Sequence, residues 1–201
     1  MKSHRPKPSH FRGLVAGLAA VIVAGSTLGH MSVPPAQAAV TSKSLAVVKL
    51  KQEQTNWCWA ASARMIGVYK GTTSLSQCDI VKKTLPLPPG CPNLGATDNE
   101  VRSALTKAGL PNWTNYTGML AMTTIINQIN ANKPVEYDYK YTNSTSKHVV
   151  VITGYWNDSS VSDSGYLYYN DPWTGINVGK SWLNLKSNND WTASFTVYNI
   201  S

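Results

Sequence analysis

Cys58 and His148 are set apart, among the side chains able to act as nucleophile or base, by counting alone. Histidines stand at positions 4, 10, 30 and 148, and the first three fall in a stretch that reads as an export leader. Residues 1–13 (MKSHRPKPSHFRG) are basic and free of acids, and a short apolar run, LVAGLAAVIVAGSTLG, follows them. Ala36-Gln37-Ala38 then offers a small-residue cleavage site before Ala39, the three parts of a secretory signal. The apolar run is too short to argue for a membrane span, and the agreement of its three parts weighs against an uncleaved anchor. With residues 1–38 removed, His148 is the only histidine left, so any imidazole chemistry must use it. A thiol facing an imidazole is the minimal equipment for nucleophilic attack on a carbonyl carbon.

The cysteines at 58, 78 and 91 are an odd number for an exported chain, in which one thiol stays free or pairs between molecules. Cys78 and Cys91 flank the turn-rich segment Pro86-Leu87-Pro88-Pro89-Gly90 and are the natural pair on spacing and oxidising compartment, although two other pairings are open. Such a loop contributes about 3 kcal/mol by the chain-entropy estimate. Cys58 is then the free thiol. It falls in the first turn of an expected helix, where unpaired N–H groups stabilise an anion; taken alone, it fits equally a small buried core residue.

His148 opens a strong strand, HVVVITGY, after the polar loop NSTSK. A lone histidine is more often structural, but a strand end is a rigid platform for a base. Asp171 ends the strand YLYYND, which is expected to neighbour the first. An Asp before Pro is often a turn residue; here its carboxylate could accept the imidazole N–H and fix the tautomer. Asn170 is the runner-up for that position.

The elements that must hold these residues follow from periodicity. After a strand or extended segment at 44–50 and a polar turn at 51–56, WCWAASARMIGVYK carries apolar residues at helical spacing, with Asn56 as candidate N-cap and Gly71 as its stop. Residues 74–84 form a second expected helix, Thr97 to Glu100 a capping box opening a third that Gly109 closes, and residues 122–132 a fourth. Beyond Pro134 the period becomes two, in VEYDYKY, HVVVITGYW, YLYYND and ASFTVYNI, with turns at 143–147, 157–165 and 188–190. Segregated helices and strands imply an α+β domain over residues 39–201, a helical half packed on an antiparallel sheet.

Composition narrows the functions. The formal charge of +8 includes four basic leader residues, so the remaining 163 residues carry +4. No basic block remains beyond Lys82-Lys83, which gives nucleic acid or an anionic membrane little to hold. One histidine and two paired cysteines cannot build the usual zinc sites, and there is no phosphate-cradling glycine loop. Neither metal nor cofactor is expected. Seven Trp and ten Tyr could line a carbohydrate surface, but the tyrosines fall at strand period and are expected to pack in or edge the sheet.

The segments Gln52-x5-Cys58-Trp59-Ala60-Ala61, HVVVITGY and YNDPW resemble papain-like cysteine peptidases, in particular a compact bacterial branch that includes bacteriocin-leader-processing peptidases. The resemblance runs in order through most of residues 45–200. It implies a papain-like fold and a Cys58-His148-Asp171 triad, Asp replacing the Asn of plant papains. It further implies that Gln52 donates to the oxyanion, with Gln54 as rival, and that the Trp173 indole shields the His148-Asp171 bond. The expected activity is hydrolysis of a peptide or protein substrate through a thioester, by a secreted monomer without stable membrane association. Only about a dozen residues lie between Ala39 and Gln52, so no inhibitory pro-segment is expected, and no cysteine closely precedes the nucleophile as in plant papains. Other thiol acyl-transfer enzymes, transglutaminase-like or cell-wall peptide hydrolases, share the acyl-enzyme step, and a binding domain with a merely packed Cys58 is the non-catalytic alternative. Segments 86–98 and 114–121 are the candidates for the borders of the cleft.

Overall fold

The computed structural model describes residues 40–86, 90–159 and 165–201. The leader at 1–38 with its cleavage site, positions 87–89 of the proline-rich turn and positions 160–164 of the turn at 157–165 lie outside the described residues.

Five helices and seven strands occur among the described residues, helices first and strands mostly after, as the change of period at Pro134 implies. Helix α1 (Cys58–Lys70) ends where Gly71 takes φ +70°, a left-handed C-cap whose N–H returns to the carbonyls of Gly67 and Val68. Helices α2 (Gln77–Thr84) and α3 (Asp98–Lys107) both start on reciprocal capping boxes, Ser76 with Asp79 and Thr97 with Glu100. Helix α4 spans Met122–Asn130 and α5 spans Trp182–Lys186. A Cβ on Gly67 would meet the side chain of Thr73 at 2.5 Å and the carbonyl of Ala108 at 3.1 Å, so the bare glycine lets α1 lie close to the end of α3.

The strands are β1 (Val40–Ser44), β2 (Thr114–Thr117), β3 (Val135–Tyr141), β4 (Lys147–Asp158), β5 (Tyr166–Asp171), β6 (Ile176–Ser181) and β7 (Trp191–Tyr198). They form one antiparallel sheet in the order β2-β7-β3-β4-β5-β6, with β1 on the far half of β4. Helix α1 packs on β4 with α2 and α3 behind it, and buried Trp59, Met65, Ile66, Leu105, Val150 and Ile152 join the two halves into one core.

Sequence periodicity missed β2, β6, α5 and the pairing of β1. INVGKS in β6 has little apolar alternation, and α5 is a single turn held by Ser181, whose hydroxyl accepts the N–H of Asn184. Of the strand or extended segment expected at 44–50, only Ser44 belongs to a strand: the pairing with β4 is made by residues 40–44, and residues 45–50 form no regular element.

Candidate functional site

Helix α1 begins at Cys58, and its N-cap is Trp57 rather than Asn56. Asn56 is engaged elsewhere: its N–H donates to Oδ1 of Asn93 at 2.9 Å and its amide to the Asn93 carbonyl at 3.1 Å. With no capping side chain and no acid in the first turn, the leading N–H groups of α1 remain available beside the sulfur. Cys58 is half-buried and free, while Cys78 and Cys91 form the expected disulfide, their Cα atoms 5.4 Å apart. That bridge ties α2 to the segment that walls the nucleophile. Trp57 Nε1 donates to the carbonyl of Pro92 at 2.9 Å and Trp59 Nε1 to that of Leu94 at 3.2 Å.

His148 is the second residue of β4, buried, and opposite Tyr139 of β3, whose ring meets the imidazole edge-on at 5.5 Å. Nε2 of His148 lies 2.7 Å from Oδ1 of Asp171, the last residue of β5. A carboxylate only accepts, so Nε2 carries the proton and Nδ1 is left for the Cys58 thiol, the second side chain hydrogen-bonded to the ring. Burial disfavours the imidazolium, but the bonds to Asp171 and Cys58, with their charges, outweigh it and raise His148 to about 9. Burial likewise opposes the Asp171 carboxylate, yet His148 and the backbone N–H of Trp173, at 2.9 Å, hold it below the usual carboxylate range. Trp173 therefore touches the acid through its backbone, and its exposed indole stands at the rim of the cleft.

Asn170, the alternative third member, points elsewhere. Its amide donates to the carbonyls of Val47 and Val48 and its Oδ1 accepts from Asn177, so it fastens the 45–50 segment to the sheet. Gln52 is buried in the loop before the nucleophile, with its N–H on the carbonyl of Pro172, directly after Asp171, at 2.8 Å. Its side-chain NH2 donates to the carbonyls of Gln54 and Thr55 at 2.9 and 2.7 Å, while Oε1 is buried without a partner. Both amide hydrogens of Gln52 thus hold the loop in the resting arrangement. Gln54 enters this arrangement through its backbone carbonyl, which also accepts from Trp57 N–H. From α2, buried Gln77 clamps the same loop, donating to the Lys51 carbonyl and accepting from Glu53 N–H.

Cys58 and His148 open on a cleft of about 760 Å³. Residues 95–98 line it, within the expected segment 86–98, whereas none of residues 114–121 does, and 114–117 form β2 at an edge of the sheet, paired with β7. Its mouth is crossed by Lys147 Nζ on Asp98 Oδ1 at 2.5 Å. Asp138 also lines the cleft and was not singled out from sequence, because VEYDYKY alternates tyrosines with acids and reads as a half-exposed strand. The first five residues of β3 are in fact all buried. No group of three or more potential metal ligands occurs among the described residues.

Residues 41–190 match the model of a sequence family described as papain-like cysteine protease AvrRpt2. The crystal structure of a protein described as a C39-like peptidase from Bacillus anthracis aligns with a TM-score of 0.52 at 15% identity, over 79% of this chain and 97% of that one. At such identity the likeness speaks for the fold alone. No curated protein matches the chain at a significant level.

Proposed function

The chain belongs to the family of papain-like cysteine proteases described by AvrRpt2, and from that premise we propose that it is an exported peptidase in which Cys58, His148 and Asp171 form the triad. The observation that carries this assignment is the line from Asp171 Oδ1 through Nε2 of His148 to the Cys58 thiol on the other side of the ring. Such a chain of contacts lets one imidazole take and return a proton without losing its orientation.

In the proposed cycle the Cys58 thiolate attacks the carbonyl carbon of the substrate peptide. The oxyanion accepts the Cys58 N–H, uncapped at the start of α1, and an amide hydrogen of Gln52 exchanged from a loop carbonyl. His148 passes its proton to the departing amine, leaving a thioester. Water then attacks that thioester as His148 removes its proton, and the thiolate leaves to re-form the resting pair. The substrate is a peptide or protein. The leader at 1–38 would direct export and be cut before Ala39, leaving residues 39–201 as the working domain.

Iodoacetamide should label Cys58 of the folded mature protein near neutral pH, and a short-peptide library should be cut by the wild type and not by Cys58→Ala. Labelling that requires denaturation, together with intact peptides, would sink the assignment. Export is tested separately, by sequencing the amino terminus of the secreted product: a start other than Ala39 refutes the cleavage site.

A further inference from the structure

Glu136 and Asp138 lie two apart on β3 and therefore share one face of the sheet. Glu136 is wholly buried and Asp138 is 1% exposed. Neither oxygen of Glu136 has a hydrogen-bond partner, nor has Oδ1 of Asp138. Asp138 nevertheless lines the same cleft as Cys58 and His148. A register shift between β3 and β7 at this point sets Ser194 beside the acid, and Ser194 bonds the Asp138 carboxyl.

A buried carboxyl oxygen without a partner is costly to a fold, and the local cations relieve neither Glu136, which has no partner at all, nor Oδ1 of Asp138, which Ser194 leaves unpaired. Lys147 is engaged by Asp98 and Arg102 by Asn99, so both act on the acids through space without an ion pair to either among the described residues. What would complete the site is a donor brought from outside, positively charged and long enough to reach the floor of the cleft. Resting on the peptidase reading, we propose that Asp138, backed by Glu136, is the floor of a side-chain subsite that selects a lysine or arginine of the peptide substrate close to the cut bond.

The charge balance around the subsite makes its occupancy depend on pH. The groups that face the acids are Cys58 on α1, Asp98 and Arg102 on α3, Lys147 and His148 on β4 and Ser194 on β7. Burial, only partly countered by Lys147 and Ser194, raises Asp138 to about 7, and burial with Asp138 beside it raises Glu136 well above the usual carboxyl range. An empty subsite near neutral pH thus holds Asp138 partly as the acid. A substrate cation binds the ionised form and releases the proton, so basic peptides bind better as pH rises through 7.

The test is a library of quenched fluorogenic peptides in which each position in turn is lysine, arginine, glutamine, norleucine or glutamate. The wild type should prefer lysine or arginine at one fixed position, and KM for the lysine peptide should fall between about pH 6 and pH 8. In Asp138→Asn, nearly isosteric, the lysine-to-norleucine ratio of kcat/KM should drop about thirtyfold or more, as for the loss of one partner of a buried charge pair. The wild-type preference is read without any variant, so misfolding of Asp138→Asn does not hide the answer. Turnover with norleucine, glutamine or glutamate accepted equally at every position overturns the subsite and leaves the peptidase reading standing. A basic preference undiminished in Asp138→Asn likewise overturns the role of Asp138, and no turnover of any peptide overturns both readings.

Discussion

Nε2 of His148 and Oδ1 of Asp171 meet at 2.7 Å across the ends of two neighbouring strands, β4 and β5, in a setting where both side chains are largely removed from water. The acid does two things at once: it fixes which ring nitrogen faces Cys58, and it keeps the ring charged. Asp171→Asn retains the shape and loses the charge. Lower kcat is expected, by about 10²-fold or more, the worth of a positioned acid-base group. Because Asp171 is a principal support of the imidazolium, which titrates at about 9, the alkaline limb of kcat against pH should move to lower pH in the variant. An unmoved limb would show that Asp171 is structural.

Gln52 is expected to separate two effects within one residue. Loss of one oxyanion donor lowers kcat by about 10²- to 10³-fold with little change in KM. The same side chain also holds the carbonyls of Gln54 and Thr55, so Gln52→Ala should lose about 1 kcal/mol of stability for each bond. Gln52→Glu sharpens the comparison, since a carboxylate cannot donate to those carbonyls and would repel them. Steady-state kinetics beside thermal unfolding reads both. A stability loss with kcat intact would assign Gln52 to the loop alone and return the oxyanion to backbone donors.

The disulfide acts on the cleft through its wall. Cys91 anchors the stretch whose carbonyls receive the indoles of Trp57 and Trp59 and whose Asn93 binds Asn56 and Thr55. Replacing Cys78 and Cys91 by serine should cost about 3 kcal/mol, a fall in Tm of roughly 6–12 °C for a domain of this size. KM for peptides should rise as the wall loosens, while iodoacetamide still labels Cys58. An unchanged KM would mean that the hydrogen bonds alone hold the wall.

Where sequence and structure agree, the signal is local. Capping boxes at Ser76 and Thr97, the glycine stop at 71 and the period-two runs from 135, 148 and 166 each carry their geometry in a few adjacent residues. The meeting of Cys58, His148 and Asp171 was legible because reading residues 1–38 as a leader sets aside three of the four histidines and the disulfide leaves one thiol, which reduces the search to a single pair. Asp138 was not legible for the opposite reason. Its burial depends on a strand flanked by β7 and β4 and covered on both faces, a property of the assembled sheet that no window of seven residues contains. Asn56 misled similarly: it has the chemistry of an N-cap, but Asn93, 37 positions away, competes for it and wins.

Stability should decline from mildly acidic to alkaline pH, and the reason is the sign of three shifts. Asp138 and Glu136 have folded-state values above their ordinary carboxyl values. The folded chain therefore keeps protons there that the unfolded chain releases, and stability falls as pH rises from about 4 through the folded value of Asp138, about 7. His148 is raised from 6.5 to about 9, so its contribution is fully present below 6.5 and is lost as pH climbs through 9. Asp171, held low, acts only at the acid end, where stability is lost as pH falls through its depressed value. Thermal unfolding of the Cys58→Ala protein across pH 4 to 10 avoids self-digestion and should show a falling Tm with two slopes, the second shallower and at lower pH than in the wild type because only Asp171 then supports the imidazolium. Asp138→Asn should flatten the first slope and Asp171→Asn the second. If Tm instead rises between pH 5 and 7, the buried acids are ionised in the folded protein, and the subsite floored by Asp138 is already satisfied from within.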